Sequence, residues 1–340
     1  FAVLLFFCWV ASRGLNPLKK LATLAGTSMF VMSILYILLM FAAPVINPNG
    51  GYLSVDFSMK NLIPHFDWKY FSSLSILVFA VGGCEKISPY VNKVEDPSRG
   101  FPKSMIFAAV MVIVCAIFGT IAMGMMFDIN LVNENFDAYN ANGSYWAFQR
   151  LGEYYGVGNL LMIIYAACNA IGQFSTLVVS IDAPLRMLLD NEEARQFVPT
   201  KLLKKNKFGA YVNGIWMVVI LSGSIILAQI LVPNADTVLR QLTQLNSVTM
   251  PMRYLWVFFA YFMLRKQSAK FQRDYQFVKN NGIALFFGAW CFFVTGACCI
   301  LGMYKQGDLY TTLLNVITPV VLIALGLILP AIKKREGKSA

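Results

Sequence analysis

The residues able to do chemistry in an apolar setting are few, and they lie close together. Within the apolar run at 69–92 comes Phe79-Ala80-Val81-Gly82-Gly83-Cys84-Glu85-Lys86, with Pro89 three residues further on. Two adjacent glycines weaken a helix, and a following proline removes one of its hydrogen bonds. The segment is therefore expected to unwind. Unwound backbone offers N–H groups that suit a carboxylate and carbonyls that suit an ammonium. Glu85 and Lys86 fall past the middle of the run, where an ionisable side chain costs about 2.5–3.5 kcal/mol on insertion scales. They mark a solute or proton path, or else form a self-contained pair reaching the nearer surface. A second polar group lies in 158–188, where Asn169 and Gln173 are spaced i,i+4 on one helix face. That face either lines a polar path or bonds neighbouring helices together. Asp182 and Arg186, also i,i+4, are expected to pair at the end of the same span. Asn246, Ser247 and Thr249 precede Pro251, which permits another bend, and Arg253 follows.

Other reactive constellations are missing from the sequence. Its one histidine, His65, sits in a polar connecting stretch, so no His-based metal site or acid–base pair can be assembled. The seven cysteines lie in or beside apolar runs without a CxxC spacing and read as small hydrophobes. There is no GxSxG and no Walker loop. Catalysis, a metal and a cofactor are therefore not expected, and a pump driven by ATP from within this chain is excluded.

The elements that must position these groups follow from composition. Of 340 residues, 58% are hydrophobic and 13% charged, and mean hydropathy is +0.61. A soluble domain carries about 25% charged residues, so the chain reads as an all-α polytopic membrane protein. A crossing needs about 20 apolar residues. Eight such spans are expected near 21–45, 69–92, 104–127, 158–188, 211–232, 236–264, 282–304 and 310–333. Residues 1–12 read as the end of a helix that begins upstream, which makes the chain a fragment by expectation. The 236–264 segment is polar at its start and is expected to begin as an interfacial helical turn before Leu245. The polar 128–157 connection is long enough for a lid-like helix, 265–281 reads as a loop and 334–340 as a tail. This divides the chain into a core at 13–264 and two peripheral helices at 282–333.

Lys and Arg set the orientation, because their bias on short loops decides which side is cytoplasmic. Alternate loops hold 21 against 4 of the 28 basic residues, with Lys86, Arg240 and Arg253 inside spans. The basic loops and the C-terminus are thus expected in the cytoplasm. The net charge of +11 then belongs to the lipid bilayer face, and no nucleic acid is needed to explain it.

The run Phe79–Glu85, then Val91-Asn92-Lys93-Val94-Glu95-Asp96-Pro97 and Phe101-Pro102-Lys103, resembles the sixth helix and following loop of the amino acid–polyamine–organocation (APC) superfamily. Leu185-Arg186 through Pro199, with Gly209-Ala210-Tyr211-Val212, resembles its eighth helix and loop. The glutamate/GABA-antiporter-like branch is the nearest in kind. The resemblance implies a five-plus-five inverted-repeat transporter fold, here lacking most of helices one to four. It implies secondary transport of an amino acid or related amine by alternating access in a bacterial cytoplasmic membrane. Phe79 would close over the substrate, and Ala80, Val81, Gly82 and Gly83 would form the unwound substrate-binding backbone. Glu85 takes the family's acidic position in coupling or gating. Lys20 resembles a lysine standing where other members hold sodium, and it also reads as an interfacial anchor. Lys86 and Pro89 depart from the small residues expected there. A channel, a non-transporting scaffold and an integral-membrane enzyme are the alternatives; the last lacks clustered reactive residues. Oligomeric state is not fixed by these patterns.

Overall fold

In a computed structural model of the chain, the backbone is described for all residues except 59, 61–62, 230–234, 271–274 and 337–340. Side chains at 15–18, 69, 84–85, 92, 137, 228–229, 235–240 and 269 are likewise outside the described residues. The described elements are α1 (Ala2–Ser12), α2 (Leu15–Ile46), α3 (Trp68–Val81), a 3-10 segment (Cys84–Lys93), α4 (Pro97–Gly124), α5 (Ile129–Glu134) and α6 (Phe136–Tyr154). There follow α7 (Leu160–Leu189), α8 (Glu192–Arg195), a 3-10 turn (Thr200–Leu203), α9 (Val212–Gln229), α10 (Ala235–Lys266), a 3-10 turn (Ser268–Lys270), α11 (Asn281–Met303) and α12 (Leu309–Glu336).

Among the described residues, six helices are long and apolar enough to cross a membrane: those over 19–46, 70–91, 97–124, 160–189, 281–303 and 309–336. The chain is an all-α polytopic membrane protein. Two of the eight expected spans fall short of that standard for different reasons. The first, α9, is apolar, but its described side chains cover only Val212–Leu227, and the chain after the helix lies outside the described residues. The second, α10, has 32 residues but opens on a polar stretch, Asp236 to Asn246. The backbone is helical through that stretch and continues unbroken past Leu245.

Helix ends are capped where they meet water. The Asp67 carboxylate accepts from the Tyr70 N–H at 2.8 Å to start α3, and Asp128 accepts from Asn130 at 2.7 Å to start α5. Asn280 accepts from Gly282 at 2.9 Å and Ile283 at 3.2 Å to start α11. Each cap satisfies donors left over in a first turn. Pro97 opens α4, where its missing N–H costs nothing.

The chain divides into two compact units. The first comprises residues 1–58 and 107–233. Here α2 runs against α7, where Gly172 leaves room for Met29: a Cβ on that glycine would stand 2.9 Å from Met29 Cγ. Small residues allow this approach in lipid, where packing rather than water exclusion joins helices. Its core gathers Met32, Tyr36, Met40 and Ala43 of α2 with Ala147, Phe148, Leu151 and Tyr154 of α6. Phe148 stacks on Tyr165 of α7 at 4.3 Å between ring centroids.

The second unit comprises residues 59–106 and 234–340. In it α11 packs against both α3 and α10. Gly302 permits the first contact, since a Cβ there would lie 2.6 Å from Ser75 Cβ. Large apolar side chains point outward, as on Trp256 (75% exposed) and Phe293 (71%). That is the surface a lipid-facing helix requires.

Candidate functional site

The interruption expected near the middle of 69–92 is present and narrow. Helix α3 holds through Val81, and the Gly82 N–H still donates to the Phe79 carbonyl at 3.2 Å. Gly82 is then extended (φ −79°, ψ 174°), and Gly83 takes φ +116° before the chain resumes as a 3-10 segment at Cys84. Ala80 and Val81, expected to be unwound, are helical; the break is confined to the two glycines. Physics explains why both must be glycine. A positive φ disfavours any L side chain at 83. At 82 a Cβ would lie 2.9 Å from Cε2 and Cζ of Tyr254, with the tyrosine hydroxyl nearer still.

Tyr254, on α10, holds the break from outside. The Gly83 N–H donates to its hydroxyl oxygen at 2.6 Å. The Lys86 N–H donates back to the Gly83 carbonyl at 3.1 Å, which starts the 3-10 segment. Phe79 and Lys86 are half-buried, while Ala80 and Val81 are exposed. The Glu85 side chain lies outside the described residues, so its expected role rests on its place in the chain. Sequence reasoning did not find Tyr254. It lies 171 residues beyond Gly83, and the only nearby signal was Pro251, three residues before it.

On the face of α10 next to Tyr254 is a cavity of about 880 Å³, bounded by α10, α11 and α12. Asn246, Thr249 and Arg253 of α10 line it, and Trp256, Phe292 and Leu322 supply much of its apolar wall.

The remaining candidates belong to the first unit. Lys20 is exposed on the first turns of α2. Asn169 and Gln173 do share a face of α7 and are joined: the Gln173 amide donates to Asn169 Oδ1 at 3.4 Å. Asn169 in turn donates to the Tyr145 hydroxyl of α6 at 2.7 Å. The helix in the 128–157 connection is thus bonded to the polar face of α7, a partner that spacing alone did not identify.

The Asp182–Arg186 pair is buried rather than lying at an exposed edge, with Arg186 Nε 2.6 Å from Asp182 Oδ2. It extends further than expected. Arg186 Nη1 lies 3.6 Å from Asp190, Lys205 Nζ donates to Asp190 at 2.9 Å, and the Tyr211 hydroxyl donates to it at 2.5 Å. Burial alone would raise the Asp190 carboxyl. Hydrogen bonds from Tyr211 and Lys205, with the charges of Lys205 and Arg186, outweigh burial and hold it below the ordinary carboxylate value. Its own hydrogen bonding to Tyr211 and to Asp190 holds the Lys205 ammonium above its ordinary value. This network ties the end of α7 to the start of α9. Among the described residues, no group of three or more His, Cys, Asp or Glu side chains could hold a metal ion.

Residues 1–325 match a family of amino acid permeases. The chain is 45% identical, over its whole length, to the aspartate/glutamate permease AcaP of Lactococcus lactis subsp. cremoris, covering 71% of that protein. It is 22% identical to the inner membrane transporter YjeM of Salmonella typhimurium, over 81% of this chain and 58% of the relative. It is also 22% identical to the probable agmatine/putrescine antiporter AguD of Lactococcus lactis subsp. lactis, over 67% of this chain and 47% of the relative. The chain therefore spans 71% of the first of these proteins and about half of the other two.

Proposed function

Because the chain belongs to the amino acid permease family of the APC superfamily, and is a multi-pass transporter chain rather than an enzyme, we propose that it carries acidic amino acids across the bacterial cytoplasmic membrane by alternating access. The observation that carries this is the Gly82–Gly83 break, where an apolar span opens its backbone under the hydroxyl of Tyr254. Broken helices persist in lipid only where protein or a solute-filled cavity covers them. Repeat-built transporters bind their solute at such breaks. The 45% identity to a protein named as an aspartate/glutamate permease favours aspartate and glutamate among the solutes.

In this reading Phe79 closes over the solute, and the backbone from Ala80 through Val81 to Gly82 and Gly83 meets its amino and carboxylate groups. Glu85 is the titratable coupling group, with Lys86 beside it as a gating charge. Lys20 serves where sodium serves in other members. Asn169 and Gln173 line the pathway beneath α6. The arrangement suits a five-plus-five inverted-repeat fold. The basic loops, 21 Lys and Arg against 4, put the C-terminus in the cytoplasm. The positive charge serves the membrane face and not a nucleic acid.

Liposomes containing the full-length protein test this. Labelled glutamate and aspartate should accumulate against an imposed proton gradient or exchange against internal amino acid, while labelled putrescine should not. Uptake of putrescine with no uptake of either acid would overturn the solute assignment. Flux that does not saturate with solute concentration would overturn alternating access and favour a channel.

A further inference from the structure

A guanidinium taken out of water is costly unless acceptors meet its N–H groups. Arg265, in the last turn of α10, is 5% exposed, and its Nη1 is buried without a hydrogen bond. We infer that the junction of α10 and α11 beside Arg265 binds the headgroup of an anionic phospholipid that carries a hydroxyl as well as its phosphate. The inference goes beyond the transport reading and takes from it only that this end of α10 lies at a membrane boundary.

The junction is built around one ring. Tyr261, one turn before Arg265, lies against Gly288 of α11, where a Cβ would stand 3.0 Å from its Cδ1. The guanidinium carbon of Arg265 is 5.3 Å from the centroid of that ring. This contact engages the face of the cation and leaves its N–H edge in need of acceptors. Asn281, the first residue of α11, comes to the same place: its Nδ2 donates to the Arg265 carbonyl at 3.1 Å. Its Oδ1 is likewise buried with no hydrogen bond. A charged donor and a neutral acceptor are thus left unmet on two residues that are bonded to each other.

Those two atoms define what fits. A phosphodiester accepts two parallel hydrogen bonds from a guanidinium. A hydroxyl on the same headgroup supplies the donor that Asn281 Oδ1 lacks. A single water meets both atoms but brings no negative charge, so it leaves the buried cation uncompensated. Entry turns the guanidinium outward on its flexible stem and exchanges the ring face for charge-assisted hydrogen bonds.

Charge and location point to a lipid as the source of that phosphate. The connection 265–281 carries five basic residues, Arg265, Lys266, Lys270, Arg273 and Lys279, against one acid, Asp274. Lys266, Lys270 and Lys279 are exposed. A basic cluster directly after a membrane helix attracts anionic lipid, and basic pockets between such helices take phosphate headgroups. Tyr275 and Phe277 are exposed just before α11, where an interfacial aromatic belt belongs. Further into α11, Phe286 and Trp290 are exposed and stack at 6.2 Å between ring centroids. They offer an apolar surface to the acyl chains of a lipid held at Arg265.

Native mass spectrometry of the full-length protein, released in detergent and washed, counts the lipid that stays bound. Three lipids are supplied in equal amounts: phosphatidylglycerol, phosphatidylmethanol (an anionic phosphodiester without a hydroxyl) and zwitterionic phosphatidylcholine. Retention should fall in that order. Arg265→Gln should cut bound phosphatidylglycerol about fivefold or more, as expected for losing one basic residue at a lipid surface, and Arg265→Lys should cut it less. Asn281→Leu should erase the preference for phosphatidylglycerol over phosphatidylmethanol. Equal retention of all three lipids, or phosphatidylglycerol retained as well by Arg265→Gln as by wild type, overturns the site. Displacement of the lipid by excess inorganic phosphate shows a site for free phosphate and overturns the lipid assignment. Should Arg265→Gln not reach the membrane, Asn281→Leu decides: loss of the preference supports the site, and an unchanged preference overturns it. No transport is measured, so the outcome is separate from the solute assignment, and failure of the lipid site leaves uptake of the solute intact.

Discussion

Gly82→Ala is the sharpest perturbation of the break, because the structure sets both its cost and its remedy. The new methyl would lie 2.9 Å from Cε2 and Cζ of Tyr254 and closer still to the hydroxyl. The ring is the far end of a flexible side chain and can swing aside. Doing so gives up the 2.6 Å hydrogen bond from the Gly83 N–H, worth about 0.5–1.5 kcal/mol net. Residual overpacking adds about 1–3 kcal/mol. The total of about 2–4 kcal/mol corresponds to a loss of roughly thirtyfold to several hundredfold in kcat/KM, at about 1.4 kcal/mol per tenfold. Uptake of labelled glutamate, normalised to inserted protein, measures it. The remedy is Tyr254→Ala, which removes the obstructing ring; in that background Gly82→Ala should cost less than threefold. Gly83→Ala is the control. Its φ of +116° is strained for alanine by about 1–3 kcal/mol whatever stands at 254, so Tyr254→Ala should not rescue it. Equal costs for Gly82→Ala with and without the tyrosine ring would refute the close-approach argument.

Three further outcomes concern other parts of the chain. Glu85→Gln should slow uptake without preventing membrane insertion; unchanged kinetics at both acidic and neutral pH would remove its coupling role. Gly302→Ala puts a methyl 2.6 Å from Ser75 Cβ and should destabilise the protein by about 1–3 kcal/mol, read as a lower thermal midpoint in detergent, with Ser75→Gly restoring part of it. Asp190 is held below the ordinary carboxylate value, so its stabilisation is fully present above that value and is lost as pH falls through the depressed one. Asp190→Asn should therefore remove part of the decline in thermal midpoint on acidification; an acid limb identical to wild type would show that the network adds nothing there.

How much of this was legible in the sequence depends on how local each feature is. The break was legible, since adjacent glycines and a nearby proline act through backbone chemistry within a few residues. Its width was not, because Ala80 and Val81 are good enough helix residues to continue to the last available carbonyl. The Asp182–Arg186 pair was legible from i,i+4 spacing, but its burial was not. Its extension to Asp190 was not legible either, because only the turn between α7 and α9 brings Lys205 and Tyr211 to that carboxylate. Asn169 and Gln173 were found as a face without a partner, because Tyr145 sits on another helix. Tyr254 was invisible for the strongest reason: nothing in the pattern of one helix says which of its aromatics will stand over a break 171 residues away.

That last residue also constrains how the break can work. Backbone donors at an interrupted helix are valuable to a carboxylate because nothing else satisfies them. Here the Gly83 N–H is already engaged by Tyr254, so a solute carboxylate gains that donor only by displacing the hydroxyl. The exchange trades one hydrogen bond for another, and a charged acceptor forms the stronger of the two. On the proposed reading, binding at the break would release Tyr254, and with it the close seat of α10 over Gly82. Occupancy of the proposed site and the position of α10 would then be linked by a single bond exchange. A carrier needs such a link, because a ligand shifts a conformational equilibrium only by as much as it binds one state better than the other.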